Sequence, residues 1–385
     1  MAGVEPLHLL LMAFLLDRAL AWADRSRPVD LALCGLLTGL ALGNQLLTLL
    51  VAPFLGLFGL WAGRRAIAQQ PMLLFLPIAT MVLALAVYAY IPLAARLDPP
   101  LAYNHPTTPA ALVALVTGAG ARTTGAGIPA IGSVDATVGA MPRLVGVALA
   151  RGAALLPVAG IAGLGVLLVR RPSLALALIG ILIAGAHAWA NDGQAETDLM
   201  VVFLVLGLGA AVAVEALARA GSERLPGLAG RVAGPAMAVA GVAMALAVTT
   251  AALPAADRSG DHAGDDYAAA MTRALPQDAA LFSFWSASTP LWHAQLVLRE
   301  RPDVEVVDAT DIAFDPGGGT REERMAALVC QRPVLVAAPD ESDLAPVRQR
   351  FTLNAAFSVM AGADASSGTA PLTVYRVAAP ADTCG

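Results

Sequence analysis

Long apolar runs, separated by short arginine-bearing segments, fill the first two thirds of the chain. A membrane-crossing helix needs about 20 mostly apolar residues. Runs at residues 6–23, 71–92, 144–169, 173–190, 199–218 and 232–253 meet or approach that length. The apolar stretch from 31 to 61 carries Gly43-Asn44-Gln45 at its middle. It reads either as one overlong helix or as two short ones, 31–43 and 46–61. After residue 254 the pattern changes to short apolar strands alternating with amphipathic helices. Helices are predicted at 265–275, 290–300 (with Ser288 or Thr289 as N-cap), 321–329 and 344–351, and strands at 280–284, 304–307, 334–337 and 372–377. Such alternation predicts a small α/β sheet. The segment 315–319, Asp-Pro-Gly-Gly-Gly, lacks the strand, lysine and helix context of a phosphate-binding loop and reads as a turn.

Arginine placement chooses between the two readings of 31–61. Cytoplasmic loops are enriched in basic residues. The short connectors hold Arg25 and Arg27, then Arg64 and Arg65, then Arg170 and Arg171, then Arg219, Arg224 and Arg231. All four clusters share one side only if 31–61 enters the bilayer and returns. The predicted architecture is therefore an α-helical polytopic membrane bundle of about eight spans over residues 1–254. An outer loop at 93–143 interrupts it, and a small extracytoplasmic α/β domain at 255–385 follows. The same parity places Met1 outside without a basic, signal-like start, which predicts further spans upstream. The predicted location is a membrane crossed several times, with the C-terminal domain on its outer side.

Composition agrees with a lipid-covered chain. Hydrophobic residues make up 57% and charged residues 14%, with mean hydropathy +0.68. A soluble domain carries roughly 25% charged residues. The net charge of −5 implies no nucleic-acid partner. Cys34 lies in an apolar run as a packing residue. Cys330 and Cys384 are able to pair if their domain is extracytoplasmic.

Ionisable and polar groups at membrane depth are costly, so each needs a reason. Glu5 and His8 share one helix face at the outer end of the first run. The pair suits a metal or a sugar hydroxyl, or else both groups sit in interfacial water. Asp17 and Arg18 are expected to snorkel to the opposite surface. Glu215 and Arg219 form an i,i+4 pair. Arg151 is either interfacial or a buried cation suited to a lipid-linked phosphate. In the outer loop, prolines fix an extended path that carries Arg96, Asp98, Tyr103, Asn104 and His105 at the membrane surface. Asp192, Glu196 and Asp198 are solvated acids or a cation site. No catalytic triad, zinc spacing or nucleotide fingerprint is present.

Four blocks together resemble a bacterial membrane-protein family first described only as a domain of unknown function. They are Val4-Glu5-Pro6-Leu7-His8, Gly39-Leu40-Ala41-Leu42-Gly43-Asn44-Gln45, Tyr90-Ile91-Pro92-Leu93 with Tyr103-Asn104-His105-Pro106-Thr107-Thr108, and Arg301-Pro302-Asp303-Val304. The family is related to the eukaryotic transmembrane protein O-mannosyltransferase and falls in the GT-C glycosyltransferase superfamily. The resemblance implies a polyprenyl-phosphate sugar as donor substrate and a protein or glycan acceptor. It implies a site lined by Glu5, His8, Asn44, Gln45, Tyr103, Asn104 and His105, with Arg96 and Arg151 near phosphate. Leu46 stands where the family has a histidine, and His105 where it has an aspartate. The family's acidic catalytic loop would precede Met1, so no catalytic base is assigned, nor any metal. The alternatives are a non-catalytic membrane scaffold with a partner-binding domain, and a lipid-linked sugar transporter.

Overall fold

A computed structural model describes residues 5–97, 99, 101, 106–117, 155–192, 199–224, 259–309, 312, 319–338, 340–360 and 371–379, with scattered helical residues between 139 and 146 and between 232 and 250. The chain divides into two compact units. One comprises Met1–Tyr90 and Pro129–Ala256, the other Ile91–Ile128 and Asp257–Gly385.

The first unit is helical. α1 (Glu5–Arg25), α2 (Pro28–Asn44), α3 (Thr48–Ala62) and α4 (Arg64–Gln69) are followed by a 3-10 turn at Pro71–Leu74 and α5 (Phe75–Leu85). A second 3-10 turn at Ala86–Ala89 leads into α6 (Tyr90–Ala95), which apart from Tyr90 belongs, with α7 (Pro109–Thr117), to the second unit. That second turn lies just before Pro92, which has no N–H to offer the Tyr88 carbonyl. α8 (Leu155–Arg170), α9 (Pro172–Asp192) and α10 (Leu199–Arg224) follow. The helical break at Asn44–Leu47 is where the two-helix reading of 31–61 puts it. Pro28 at the first position of α2 suits a helix start, where no N–H is needed.

Among the described residues, four stretches are long and apolar enough to cross a membrane: Pro6–Arg25, Pro71–Ala95, Pro172–Ala190 and Leu199–Glu223. α2, α3 and α8 are apolar but shorter. Only 6% of the Pro71–Ala95 window is buried. With Met72, Phe75, Val82 and Leu83 exposed, that stretch presents hydrocarbon outward, as lipid contact requires.

Two seams bring backbones close. In α2, a Cβ on Gly35 or Gly39 would collide with the backbone of Pro77 or Met81 in α5. Between α8 and α10, Gly163 and Gly209 leave no room for a Cβ. Small residues at helix seams permit the van der Waals contact that drives association in lipid. Two hydrogen bonds to α2 carbonyls add to the α2–α5 seam: Thr80 Oγ1 of α5 donates to Ala32 O at 2.8 Å, and Tyr88 OH of the following 3-10 turn donates to Leu42 O at 3.0 Å.

The second unit's described sheet comprises β1 (Ala280–Ser283), β2 (Glu305–Asp308), β3 (Val334–Ala337), β4 (Thr352–Met360) and β5 (Pro371–Ala378), in the order β2-β1-β3-β5-β4. β2, β1 and β3 are parallel, and β5 runs antiparallel to both β3 and β4. Connecting helices are α11 (Ala263–Ala274), α12 (Trp285–Trp292), α13 (Arg321–Leu328) and α14 (Glu341–Arg350). Leu281 and Leu335 face one core with Tyr267, Met271 and Leu291, while Phe282 and Val336 face the other with Met325, Leu344 and Val347.

Two expectations are corrected. The helix placed at 290–300 begins at Trp285, with Phe284 as cap, and gives way to a π-turn at His293–Val297. Thr289 lies inside it, its hydroxyl bonded back to Trp285 O at 2.8 Å. β4 was not expected. A bulge between Ala355 and Phe357 explains why. Leu353 packs on one face of the sheet, and Phe357 and Val359 pack on the other. The period-2 pattern is therefore broken where a reader needs it.

The Arg301-Pro302-Asp303-Val304 block is a structural clamp. Arg301 donates to Thr272 O at 2.5 Å, Leu275 O at 2.9 Å and Pro276 O at 2.7 Å, and to both Asp303 oxygens. It thereby satisfies carbonyls at the end of α11. The Arg301 guanidinium, and then the Asp278 N–H, hold the Asp303 carboxyl well below the usual carboxylate range. Cys330 is disulfide-bonded and Cys34 is free; Cys384 lies outside the described residues.

Candidate functional site

Two long-range contacts set the register of the first three helices. Arg18 Nη1 in α1 meets Asp30 Oδ1 in α2 at 3.0 Å, and Trp22 Nε1 donates to Gly59 O in α3 at 2.9 Å. α1 and α2 are thus antiparallel, and α1 and α3 run the same way. His8 lies ten residues, about 15 Å, before Arg18, and Asn44 lies fourteen residues, about 21 Å, beyond Asp30. Thr48 lies eleven residues, about 16 Å, before Gly59. Glu5, His8, Asn44, Gln45 and Thr48 therefore gather at one end of this helical trio.

The side chains at that end differ in state. His8 is 1% exposed, and neither ring nitrogen has a hydrogen-bond partner among the described residues. The reading that placed His8 in interfacial water is thereby corrected. Thr48 is fully buried and its hydroxyl is likewise unpartnered among the described residues. Asn44 ends α2 half-buried, and Gln45 caps it in an extended conformation with its N–H on Ala41 O. A buried imidazole without partners is costly unless something else satisfies it. A neutral imidazole offers one donor and one acceptor, and each primary amide offers both. This combination suits hydroxyl and phosphoryl oxygens better than an apolar ligand.

The other predicted site residues divide in two. Arg96 is exposed just beyond α6, in the second unit. Tyr103, Asn104, His105 and Arg151 lie outside the described residues, as do Asp98, Glu196, Asp198 and the side chains of Glu5 and Asp192. No group of three or more His, Cys, Asp or Glu able to hold a metal occurs among the described residues.

At the opposite end Arg18 does more than snorkel. It bridges Asp17 at 2.5 Å and Asp30, a buried carboxylate the sequence reading passed over. Glu215 and Arg219 pair as expected.

The second unit holds a polar cluster that sequence reasoning also missed. Ser283 ends β1 directly beside Asp308, which ends β2. Both are buried, as are Tyr267 of α11 and Ser288 of α12. Burial pushes the Tyr267 phenol up from its ordinary value, and the Ser283 hydroxyl acts against that shift. The carboxyl ends of parallel strands, where strand order reverses, are the usual ligand edge of such sheets. The available signal was a polar residue closing each short apolar strand.

No known family model, characterised protein or solved structure matches the chain.

Proposed function

We propose that this chain is a GT-C-like, multi-pass inner-membrane protein of about eight spans, with its α/β domain outside. In this reading it moves a sugar from a polyprenyl-phosphate carrier to a protein or glycan acceptor at the outer face. The observation that carries the reading is buried His8, without a hydrogen-bond partner among the described residues, at the same end of an apolar bundle as Asn44, Gln45 and Thr48. Arginine parity assigns that end to the outer face. The disulfide at Cys330 supports an oxidising location for the α/β domain.

The chemistry is an exchange at the sugar's anomeric carbon. The acceptor oxygen bonds to that carbon as its bond to the carrier phosphate breaks. The acceptor hydroxyl proton goes to a base, and the lipid phosphate leaves with the electron pair. Such a step needs a positioned base and hydrogen-bond donors for the leaving phosphate. Glu5 and His8 are the groups at this end able to accept a proton, and the Asn44 and Gln45 amides are its donors.

The test is transfer by the purified chain in nanodiscs containing undecaprenyl-phosphate sugars, with candidate acceptors analysed by mass spectrometry. Sugar-modified acceptor is expected, and His8→Ala should lower its rate by about 100-fold or more, the usual worth of a positioned proton-transfer group. Absence of both donor binding and transfer would sink the reading.

A further inference from the structure

At the arginine-bearing end of α1, α2, α3 and α5 lies a cavity of about 480 Å³, lined among others by Trp22, Cys34, Thr38, Gly56, Ile67 and Pro77. Its wall is nearly all hydrocarbon. The Thr38 hydroxyl is bonded to Cys34 O at 2.8 Å and the Trp22 N–H to Gly59 O, so neither offers a free polar group. Ile78, which also lines it, is 53% exposed, so the cavity borders the bundle's outer surface.

The rim carries charge. Ile67 belongs to α4, whose first residues Arg64 and Arg65 are exposed. Arg64 stacks on Trp61 at 4.8 Å and donates to Trp61 O at 3.0 Å. Arg18, by contrast, is neutralised by Asp17 and Asp30. Two arginines without an acidic partner among the described residues thus stand beside an apolar, laterally open cavity. Basic residues beside such cavities at a bilayer surface recognise anionic headgroups.

We propose that this cavity binds an anionic diacyl phospholipid, one acyl chain inside it and the phosphate on Arg64 and Arg65. The site is separate from the polar end described above and does not depend on the sugar-transfer reading. Charge complementarity selects this occupant over a neutral lipid or an apolar helix, which would leave both arginines unused. Gly56 supplies the means of testing it, because a Cβ built there meets nothing within 4 Å. A larger side chain at Gly56 therefore enters the cavity without displacing backbone.

The experiment is native mass spectrometry of the full chain in detergent, titrated with dioleoylphosphatidylglycerol or dioleoylphosphatidylcholine. One phosphatidylglycerol should be retained, with at least about a tenfold preference over phosphatidylcholine for two arginines. Gly56→Leu, and independently Ile78→Trp, should weaken phosphatidylglycerol binding by about tenfold or more, while monodisperse elution confirms folding. Arg64→Gln with Arg65→Gln should abolish the preference and leave phosphatidylcholine binding unchanged. Three results would each overturn the proposal: wild-type binding by both cavity-filling variants, equal binding of the two lipids by the wild-type chain, or a second copy of the chain in place of lipid.

Discussion

Individual residues show where polar groups have been placed at a cost. Ser288 is fully buried with no partner for its hydroxyl among the described residues. An unsatisfied buried hydroxyl costs about 1–3 kcal/mol. Ser288→Ala should therefore raise the unfolding midpoint of the α/β unit, by the equivalent of about 1 kcal/mol. A lowered midpoint would mean that the hydroxyl is satisfied in solution. Asp303 gives a pH test. Its carboxyl is held below the usual range by Arg301. A depressed acid contributes stability above its unfolded value, about pH 3.9, and loses it as pH falls toward the folded one. Asp303→Asn should thus lower the midpoint at neutral pH. The gap to the natural chain should shrink as pH drops below about 4. A gap independent of pH would show that the clamp does not act through charge. The sequence displayed the Arg-Pro-Asp-Val block but gave no sign of its task. The carbonyls it holds, at Thr272, Leu275 and Pro276, are 25 to 29 residues away.

At the scale of elements, the hydrophobic pattern was readable wherever burial was simple. The break near Asn44 was visible as polar residues between apolar runs. β1 and β3, apolar and buried at almost every position, stood out directly. β4 hid because its bulge moves the inward positions to the other face. The start of α12 was misplaced because Pro290 resembles a first-turn proline, yet it sits inside the helix. Helix seams were legible only as scattered glycines, since closeness belongs to the partner as much as to the residue. Gly163→Leu forces a side chain into the backbone of Gly209. It should destabilise the chain in detergent by more than the roughly 1–3 kcal/mol of ordinary overpacking. Gly165→Leu, where a Cβ meets nothing within 4 Å, should be nearly neutral. Equal thermal midpoints for the two variants would contradict the α8–α10 packing.

For the whole molecule, composition declared a lipid environment, and the four helices among the described residues that are long enough to cross a bilayer agree with it. The polar end of the bundle was partly legible. Glu5, His8, Asn44 and Gln45 were chosen from sequence, but their convergence depends on the Arg18–Asp30 and Trp22–Gly59 contacts, which no local pattern announces. Thr48 was missed because a lone threonine at a helix start reads as a cap. The proposed account turns on which side of the membrane each end faces. Accessibility labelling of single cysteines in intact cells decides this most directly. Ser283 is buried and would be protected on either side, so exposed Ala356 in β4 and exposed Gln69 in α4 are the positions to use. A membrane-impermeant maleimide should label Ala356→Cys in intact cells and reach Gln69→Cys only after permeabilisation. Protection of Ala356→Cys with labelling of Gln69→Cys would invert the bundle and contradict the account.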